Sequence, residues 1–411
     1  MCTKTADPSI ETWERGNLSV DTPEDVFRMR LLVVSHVTHY EFEGACYAYS
    51  PYAREMEIWA DLFSEIVIAA PCHNEPPPPN ASRIARRNVR IACQQEVGGT
   101  TWIKKLGIVA ALPALIFALC REMWYADAIH VRCPGNLGLL GILLAPVFSK
   151  RIIAKYAGQW SGYPREAWSV RLQRRLLRSG WWRGPVTVYG KQEGERENIV
   201  NFFSSTMSTE QLAEGRSISE GKRLKLPLKA AFAGRLTKAK NVDILIRAIA
   251  ALRREGITLH GLIIGDGPQR NPLQALADTL GVREQIEFAG AVPSEVVPEL
   301  LGQAQIFTLI SDSEGWPKAL SEAMAFGCVC IGSDRGLIPK FLSEGRGITI
   351  PAQNVAALTE ALRRIAAEPA KYEPMRRRAC SWAQGYSIEN LREDLRALMT
   401  EWWQLSGASE L

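Results

Sequence analysis

The sequence predicts an α/β protein with two domains, each built on a parallel sheet that helices cover. The first observation is the length of 411 residues, because one hydrophobic core rarely grows beyond roughly 250 to 300 residues. The second is the composition, in which 46% of the residues are hydrophobic and 23% are charged, as in ordinary globular proteins. The third is the alternation of short β-branched runs with longer helical runs from Arg30 onwards. Two such domains leave a cleft between them.

The first half of the chain follows this rhythm as a Rossmann-like domain over residues 29–203. Residues 1–28 have no sustained period and no apolar signal-peptide core, so we expect a loose N-terminal leader there. Residues 204–228 hold few large apolar side chains and are predicted to be a linker. Apolar, β-branched runs predict the strands of this half, at residues 31–35, 65–70, 128–132, 151–156 and 186–189.

The second half repeats the rhythm as another Rossmann-like domain, over residues 229–384. Apolar residues recur at helical spacing between its predicted strands, and Gly256 and Gly281 are placed to end two of the helices. A last helix is predicted at residues 388–405, within a C-terminal segment of residues 385–411. The strands of this half are predicted at residues 230–234, 259–265, 285–288, 306–310 and 329–332.

Charge and cysteine usage narrow the class of protein. The net charge of +5 is small for a general nucleic-acid binder and suits a small anionic ligand. The nine cysteines lie mostly in apolar runs and form no zinc-like pairs of pairs, so a reduced, cytoplasmic setting is expected. No apolar run reaches the ~20 residues that span a bilayer. The two longest, residues 107–120 and 137–148, are therefore predicted to be buried helices.

The most informative stretch is SDSEGWPKALSEAMAFG, residues 311–327, directly after a predicted strand. Gly315 lets the backbone approach a ligand, and Pro317 suits the first turn of a helix, whose unpaired N–H groups can hold a diphosphate. Glu314 precedes this helix and Glu322 lies on it, up to ~12 Å away if all residues between them are helical. That span suits the sugar and ribose ends of a nucleotide sugar. An ordinary helix with an acid at its start would also show two such glutamates.

The same stretch resembles the E-x7-E signature of the family 4 retaining glycosyltransferases. Three further segments are similar to blocks of that family, and the resemblance covers most of residues 230–351. AFAGRLTKAKNVDILIRA resembles the phosphate-binding block, LIIGDGP the Gly-rich turn, and IEFAGAVPSEVVPELL the strand and turn beside the donor base. The resemblance implies the GT-B fold, in which two Rossmann-like domains face each other across a cleft. It also implies that the second domain holds most of the donor and that the C-terminal helix crosses back to the first.

The resemblance further implies a reaction and its residues. The reaction is hexosyl transfer from a UDP- or GDP-linked sugar with retention, with no metal ion and no further cofactor. Arg235 and Lys240 match the basic pair on the donor pyrophosphate, and with Glu314 they are the implied catalytic residues. Asp266 matches the turn at the nucleotide, although it could instead stabilise only its own turn. The implied donor-binding residues are Gly265, Asp266, Gly267, Val292, Gly315, Trp316, Pro317, Lys318 and Glu322.

The N-terminal half departs from the family pattern in two places. Members commonly have a glycine pair after the first strand, where this sequence has Gly44. They commonly have a histidine after the strand that corresponds to residues 151–156, and this sequence has none there. His130 could compensate for it or could be a core residue. The polar or aromatic substitutes after that strand are Lys155, Tyr156, Gln159 and Trp160, so the candidates for the acceptor side or the phosphate loop are Gly44, His130, Tyr156 and Gln159.

Residues 170–185, VRLQRRLLRSGWWRGP, predict a basic amphipathic helix that ends in a tryptophan pair. Such a helix either lies on an anionic membrane leaflet or closes the N-terminal core with its arginines in solvent. Peripheral contact with the inner face of the membrane would suit a lipid-linked or polysaccharide acceptor of the cell envelope.

Two other functions stay open at this point. A nucleotide-sugar epimerase of the GT-B fold would need no acceptor. The sequence around Glu314 and Glu322 argues against this function. A non-catalytic partner subunit would explain the missing histidine. A dinucleotide oxidoreductase fits less well, because no G-x-G-x-x-G fingerprint follows the first strand.

Overall fold

The computed structural model of the chain describes residues 27–96, 102–163 and 166–405. Of the predicted leader, residues 1–26 lie outside the described residues, and residues 27 and 28 already belong to a strand. Two separate sheets, each covered by helices, make up the architecture. Among the described residues, no helix combines the length and the apolar character that crossing a membrane requires.

The first sheet has the strand order β10-β9-β8-β7-β1-β4-β2-β3-β5, with β6 beside β4. β1 pairs in parallel with both β4 and β7, whereas β3 pairs antiparallel with β2 and β5. The strands are β1 Phe27–Val34, β2 His39–Phe42, β3 Ala45–Tyr49, β4 Phe63–His73, β5 Ala81–Arg83, β6 Val89–Gln94, β7 Ala128–Cys133, β8 Ile152–Tyr156, β9 Val186–Val188 and β10 Ile199–Asn201. The helices are α1 Ser50–Leu62, α2 Trp102–Trp124, α3 Asn136–Phe148 and α4 Trp168–Leu177.

The central strands are those that the apolar runs predicted. Every residue of β7 and of β8 is buried, as expected for parallel strands that helices cover on both faces. The hairpin of β2 and β3 and the strands β5, β6 and β10 were not predicted. Their residues are largely half-buried or exposed, so they lack the continuous apolar run that marks a central strand.

The predicted basic helix at residues 170–185 is shorter and less exposed than expected, because α4 ends at residue 177. The guanidinium of Arg174 is buried in an ion pair with Glu166. Trp182 is fully buried, and the indole N–H of Trp181 donates to the Ile142 carbonyl at 2.9 Å. Of the tryptophan pair, Trp182 thus belongs to the core, as the second of the two interpretations expected, whereas Trp181 is exposed at 45% and hydrogen-bonded to α3.

The predicted linker contains a docked helix, α5 Thr209–Gly221. Ser208 begins it with a capping box: its hydroxyl accepts from the Gln211 N–H at 3.1 Å, and the Gln211 side chain accepts from the Ser208 N–H at 3.0 Å. Gly215 packs so closely that an added Cβ would lie 3.0 Å from the Ala325 carbonyl. A capping box and close packing at Gly215 stabilise this helix. Neither feature requires large apolar side chains, so the low apolar content of the segment did not indicate a helix.

The second sheet is parallel throughout, with the order β13-β12-β11-β14-β15-β16. The strands are β11 Leu228–Ala233, β12 Leu259–Ile264, β13 Ile286–Gly290, β14 Ile306–Leu309, β15 Val329–Ser333 and β16 Gly347–Ile350. The helices are α6 Val242–Arg254, α7 Arg270–Thr279, α8 Val297–Gln303, α9 Lys318–Ala325, α10 Ile338–Leu342, α11 Val355–Ala367 and α12 Glu373–Ala383.

The last helix, α13 Ile388–Trp403, returns to the first sheet. Its buried residues belong to the same core as α1 and β1. The Trp403 ring lies 6.4 Å from that of Phe27 and 6.2 Å from that of Phe63, centroid to centroid. Two facing Rossmann-like units joined by such a helix are the GT-B arrangement.

His130, a candidate for the acceptor side, lies instead in the core of the first sheet. Its ring is fully buried 4.4 Å from the Trp59 ring, and neither nitrogen has a hydrogen-bond partner among the described residues. The pKa of His130 is lowered to about 3, chiefly by burial; Glu55 opposes this shift, and Arg132 and Lys155 contribute to it. The side chain is therefore a neutral core residue.

His130 should make the protein sensitive to acid. Between its ordinary pKa of 6.5 and the folded value of about 3, the unfolded chain binds a proton that the folded chain does not. The free energy of unfolding therefore falls as the pH falls through this range, by up to ~1.4 kcal/mol per pH unit. In His130→Gln, the loss of unfolding free energy between pH 6.5 and 5, measured with urea, should be smaller by about 2 kcal/mol. The matched control is His260→Gln, which should lose as much unfolding free energy between pH 6.5 and 5 as the unmodified protein. An unchanged pH dependence in His130→Gln would contradict the assignment of His130 as a neutral core residue.

Candidate functional site

The candidate site lies where the order of the second sheet reverses. β12 and β13 lie on one side of β11, and β14 to β16 lie on the other. In open parallel sheets, ligands bind outside the carboxyl ends of the two strands that meet at such a point. The loops that leave β11 and β14 carry Arg235, Lys240 and Glu314, so the fold brings together residues about 75 positions apart.

The loop after β11 is fastened to the glycine turn after β12. The Leu236 N–H donates to the Asp266 carbonyl at 2.9 Å. Gly265 has φ +129°, and an added Cβ there would lie 2.0 Å from the Gly234 carbonyl oxygen, so both turns require glycine for their mutual contact. Gly267, the second glycine of the turn, packs in the same way against the Leu236 backbone.

Asp266 stabilises its own turn. Its carboxylate accepts from the Gly267 N–H at 2.6 Å and from the Arg270 guanidinium at 2.8 Å. These two bonds, that from Gly267 first, hold the pKa of the carboxyl below its ordinary value. The structure therefore favours the interpretation that Asp266 stabilises its own turn over a role in contacting the nucleotide.

The loop after β14 holds Glu314 between two neighbouring segments. The Asp312 carboxylate accepts from the Asn241 side chain at 2.8 Å, next to the turn that carries Lys240. On the other side, the Leu337 N–H donates to the Glu314 carbonyl at 3.3 Å. The carboxylate of Glu314 forms an ion pair with the Lys240 ammonium. The sequence assigned these two side chains to different parts of a donor, and in this structure they neutralise each other.

Glu322, at the other end of the motif, accepts a hydrogen bond from the Thr206 hydroxyl. Thr206 lies in the segment that joins the two sheets, and its carbonyl accepts from the Arg54 guanidinium at 2.5 Å. Arg54 belongs to α1 and also pairs with Glu295 at 2.9 Å. Sequence reasoning missed Thr206, because a single threonine in a polar segment carries no signal of its own.

Tyr49 is a second residue that the sequence did not single out. It ends β3, and its side chain is about half exposed, at 53%. Burial raises the pKa of its phenol; the Glu322 and Glu314 carboxylates raise it further, and Arg235 lowers it. The phenol is therefore within electrostatic reach of both glutamates of the motif. Its one sequence signal is its place directly before the Ser-Pro start of α1.

Two loops of the opposite sheets touch beside Glu314. The Ser313 hydroxyl donates to the Gln159 side-chain carbonyl at 2.7 Å. An added Cβ at Gly315 would lie 3.1 Å from the Gly158 backbone. The close approach that the sequence assigned to a ligand at Gly315 is thus made by the chain itself, and the candidate Gln159 lies at the cleft.

Two other candidates of the N-terminal half lie elsewhere. Tyr156 is buried in the core, where its hydroxyl accepts from Arg174 at 3.4 Å, and burial raises its pKa to about 12. Gly44 lies in the exposed turn between β2 and β3, with φ +71°. A glycine is needed there to form the turn, so neither position matches the acceptor-side or phosphate-loop role predicted for it.

Trp316 lies at the junction of the two units. It packs in an aromatic cluster, and the ring centroids of its neighbours lie 4.7 to 6.1 Å from its own. Pro317 is buried and directly precedes α9, and Val292 packs at the edge of the second core. The ring of Trp316 therefore joins the two units. The partners of Trp316 are Tyr189, Phe203, Phe341 and Tyr386.

A cluster of three cations and one carboxylate lies beneath these loops. Oε1 of the buried Glu55 lies 2.8 Å from Arg132 and 2.9 Å from Lys155, at the carboxyl ends of β7 and β8. Lys318, the first residue of α9, is the third cation. Burial alone would raise the pKa of Glu55, but Arg132, Lys155 and Lys318 hold it well below its ordinary value. Burial lowers the pKa of Lys318 to about 8, although Glu55 opposes this. The cluster keeps an excess of positive charge at the cleft.

Residues 218–382 match the family described as Glycosyl transferases group 1. A protein of Salmonella typhimurium named as a colanic acid biosynthesis glycosyltransferase is 32% identical over 144 residues, which are 33% of this chain and 36% of that protein. A GDP-mannose-dependent phosphatidylinositol monomannoside mannosyltransferase of Mycolicibacterium smegmatis is 31% identical over 36% of this chain and 41% of its own length. The chain thus spans less than half the length of these relatives.

The whole chain resembles sucrose-phosphate synthase of Thermosynechococcus elongatus in structure. The TM-score is 0.70 at 17% sequence identity, over 92% of this chain and 100% of that one. At this identity the likeness concerns the fold alone. The GT-B prediction is confirmed.

The charge of Glu55 should be essential to stability. Glu55→Gln would leave Arg132, Lys155 and Lys318 without their anion, so we expect the free energy of unfolding to fall by about 3–5 kcal/mol. Removing one cation as well, in Glu55→Gln/Lys155→Met, should restore part of the loss. Glu214→Gln, at an exposed position on α5, should change little. A Glu55→Gln protein as stable as the Glu214 variant, by urea unfolding, would refute this account.

Proposed function

We propose that this protein is a retaining glycosyltransferase that moves a sugar from a UDP- or GDP-linked donor to an acceptor without a metal ion or other cofactor. The observation that carries the proposal is the ion pair of Lys240 and Glu314 at the switch point of the second sheet, beside Arg235. A cationic loop, an acidic side chain and a helix start at one sheet edge suit a diphosphate linked to a sugar.

Donor binding would change the ion pairing of the site in two steps. A pyrophosphate beside Arg235 and Lys240 would attract the Lys240 ammonium away from Glu314, because a diphosphate carries more negative charge than one carboxylate. Glu314 would then be free to accept hydrogen bonds from hydroxyls of the sugar. Glu322 would hold the ribose end, with Thr206 orienting its carboxylate.

The chemical step follows from this placement. The bond between the anomeric carbon and the phosphate oxygen breaks, and the acceptor oxygen bonds to that carbon on the same face. The acceptor proton passes to the leaving phosphate oxygen. Arg235, Lys240 and the start of α9 stabilise the charge that develops on the diphosphate. The cation excess around Glu55 adds to this field from below the cleft.

The acceptor that we propose is a lipid-linked or polysaccharide glycan of the cell envelope. The two relatives described above support it, since their names refer to colanic acid biosynthesis and to a phosphatidylinositol mannoside. Tyr49, at the end of β3, and Gln159, in the loop after β8, are the side chains of the first unit that would meet such an acceptor.

The experiment that tests the proposal is a panel of UDP- and GDP-sugars. Thermal shift would first identify the donor that stabilises the purified protein. Turnover of that donor that depends on an added glycan or lipid-linked acceptor would support the transferase. Formation of an epimer without acceptor would support the epimerase, and binding without turnover would support the partner subunit.

Lys240 and Glu314 should have separable effects. Lys240→Met should weaken nucleotide binding and lower kcat/KM by roughly 10²–10³-fold, as is usual for loss of one charge-stabilising group. Glu314→Gln should lower turnover by a similar factor and leave nucleotide binding nearly intact. The matched control is Lys238→Met, an exposed lysine of the same turn, which should retain activity. Near-normal turnover in both site variants, by product analysis, would remove the site assignment.

We also propose that the first unit contacts an anionic membrane leaflet, through the outer faces of α2, α3 and α4. These helices pack side by side over one face of the first sheet. They expose Phe117 at 72%, Val147 at 69% and Trp168 at 70%. Exposed arginines, among them Arg121 and Arg171, lie on α2 and α4. An apolar face with basic side chains suits the interface of an anionic bilayer.

This face can be tested by sedimentation with vesicles that contain an anionic phospholipid. In Phe117→Ser/Trp168→Ser, two large apolar side chains are lost, and vesicle binding should weaken by at least about tenfold. Leu226→Ser, an exposed apolar position outside this face, should bind as the unmodified protein does. Equal binding of both variants, or no binding of the unmodified protein, would exclude the membrane contact.

A further inference from the structure

Three cysteines and a glutamate from four strands meet at the edge of the first sheet. Glu41 lies on β2, Cys46 on β3, Cys72 on β4 and Cys93 on β6. The ligand atoms of Glu41, Cys72 and Cys93 all lie within 4.8 Å of one another, and the Cys93 sulfur is 3.9 Å from Oε1 of Glu41. None of these cysteines is in a disulfide.

Cys46 completes the set. It lies directly opposite Glu41 in the register of the β2–β3 hairpin, which places the two Cβ atoms about 4.5–5.5 Å apart. Its thiol lies within electrostatic reach of Glu41 and Cys93, and the thiol of Cys72 lies within reach of all three other groups.

We propose that Glu41, Cys46, Cys72 and Cys93 bind one zinc ion. Thiolates with one carboxylate or imidazole suit zinc, and four protein ligands are typical of a structural zinc site. In a tetrahedral site with zinc–sulfur bonds of about 2.3 Å, neighbouring ligand atoms lie roughly 3.5–4 Å apart. The ligand atoms of Glu41, Cys72 and Cys93 need only small movements to reach that geometry, and the Cys46 thiol would join them from the opposite strand of the hairpin. The three thiols release their protons to solvent as the zinc–sulfur bonds form.

The position of the site gives the ion a structural role. Glu41 and Cys46 belong to the hairpin, while Cys72 and Cys93 belong to neighbouring strands of the main sheet. A bound ion would thus fasten the hairpin to the sheet. β3 of that hairpin ends at Tyr49, which is within electrostatic reach of Glu314 and Glu322. Zinc binding would hold the end of β3 in place. The binding itself does not depend on the proposed transferase activity.

The test uses the full chain, freed of metal with a chelator and kept reduced with a phosphine. Titration with zinc against a chromophoric chelator should show one tight equivalent, and cobalt should give a thiolate-to-cobalt charge-transfer absorption. Zinc should raise the melting temperature, because it binds the folded state. Cys72→Ser and Cys93→Ser should each lose the tight equivalent, the absorption and the thermal shift. Cys120→Ser, a partly exposed cysteine on α2, should keep all three.

Other outcomes would overturn the proposal. The proposal fails if the unmodified protein does not bind one equivalent of zinc tightly. It also fails if Cys120→Ser loses this equivalent while Cys72→Ser and Cys93→Ser keep it. A Cys72–Cys93 disulfide that forms in air and is unaffected by prior zinc loading, detected by mass spectrometry, would identify a redox pair instead. If a serine variant folds poorly by circular dichroism, Glu41→Gln supplies the second test, with weaker zinc binding expected and unchanged binding contradicting the site.

Discussion

The carboxylate of Glu55 lies buried on α1 among three cations that come from three different elements. Arg132 and Lys155 lie near the carboxyl ends of two adjacent strands of the first sheet, and Lys318 begins α9 of the second unit. Without this anion, the cations would repel one another at the point where the two units meet. The ends of β7 and β8, the position of α1 and the start of α9 therefore depend on one buried charge. Because a buried charge is costly unless it is paired, the arrangement is also specific in geometry.

The charged side chains of the candidate site are also paired with each other. Lys240 and Glu314 neutralise each other in the structure, so the site is held in shape before any ligand arrives. The loops around them are fastened by backbone hydrogen bonds and by glycines that allow close contact, at Gly265 and Gly315. An arriving diphosphate would meet groups that are already positioned, which reduces the cost of organising them during the reaction.

The first unit presents three different surfaces around this site. Tyr49 and Gln159 lie at the cleft, the helices α2 to α4 expose apolar side chains, and the thiol cluster lies at the edge that carries the hairpin. The hairpin leads directly into Tyr49 and α1, so a short segment joins the thiol cluster to the end of β3.

The sequence alone determined the features that depend on neighbouring residues. Apolar runs predicted the central strands, helical periodicity predicted α6 and α13, and the contiguous motif from Glu314 to Glu322 indicated a candidate site. The strands and helices can be predicted because apolar residues recur along the chain with the period of each element. The hairpin of β2 and β3 lacked such a pattern and was missed.

The tertiary structure alone decided which distant residues meet. It paired Lys240 with Glu314, buried His130 against Trp59, placed Thr206 on Glu322 and gathered Cys72 and Cys93 with Glu41. Each contact joins positions tens of residues apart, whose proximity follows from strand order and from packing across the sheet. Local sequence spacing carries no information about these distances, so only the folded chain could reveal them.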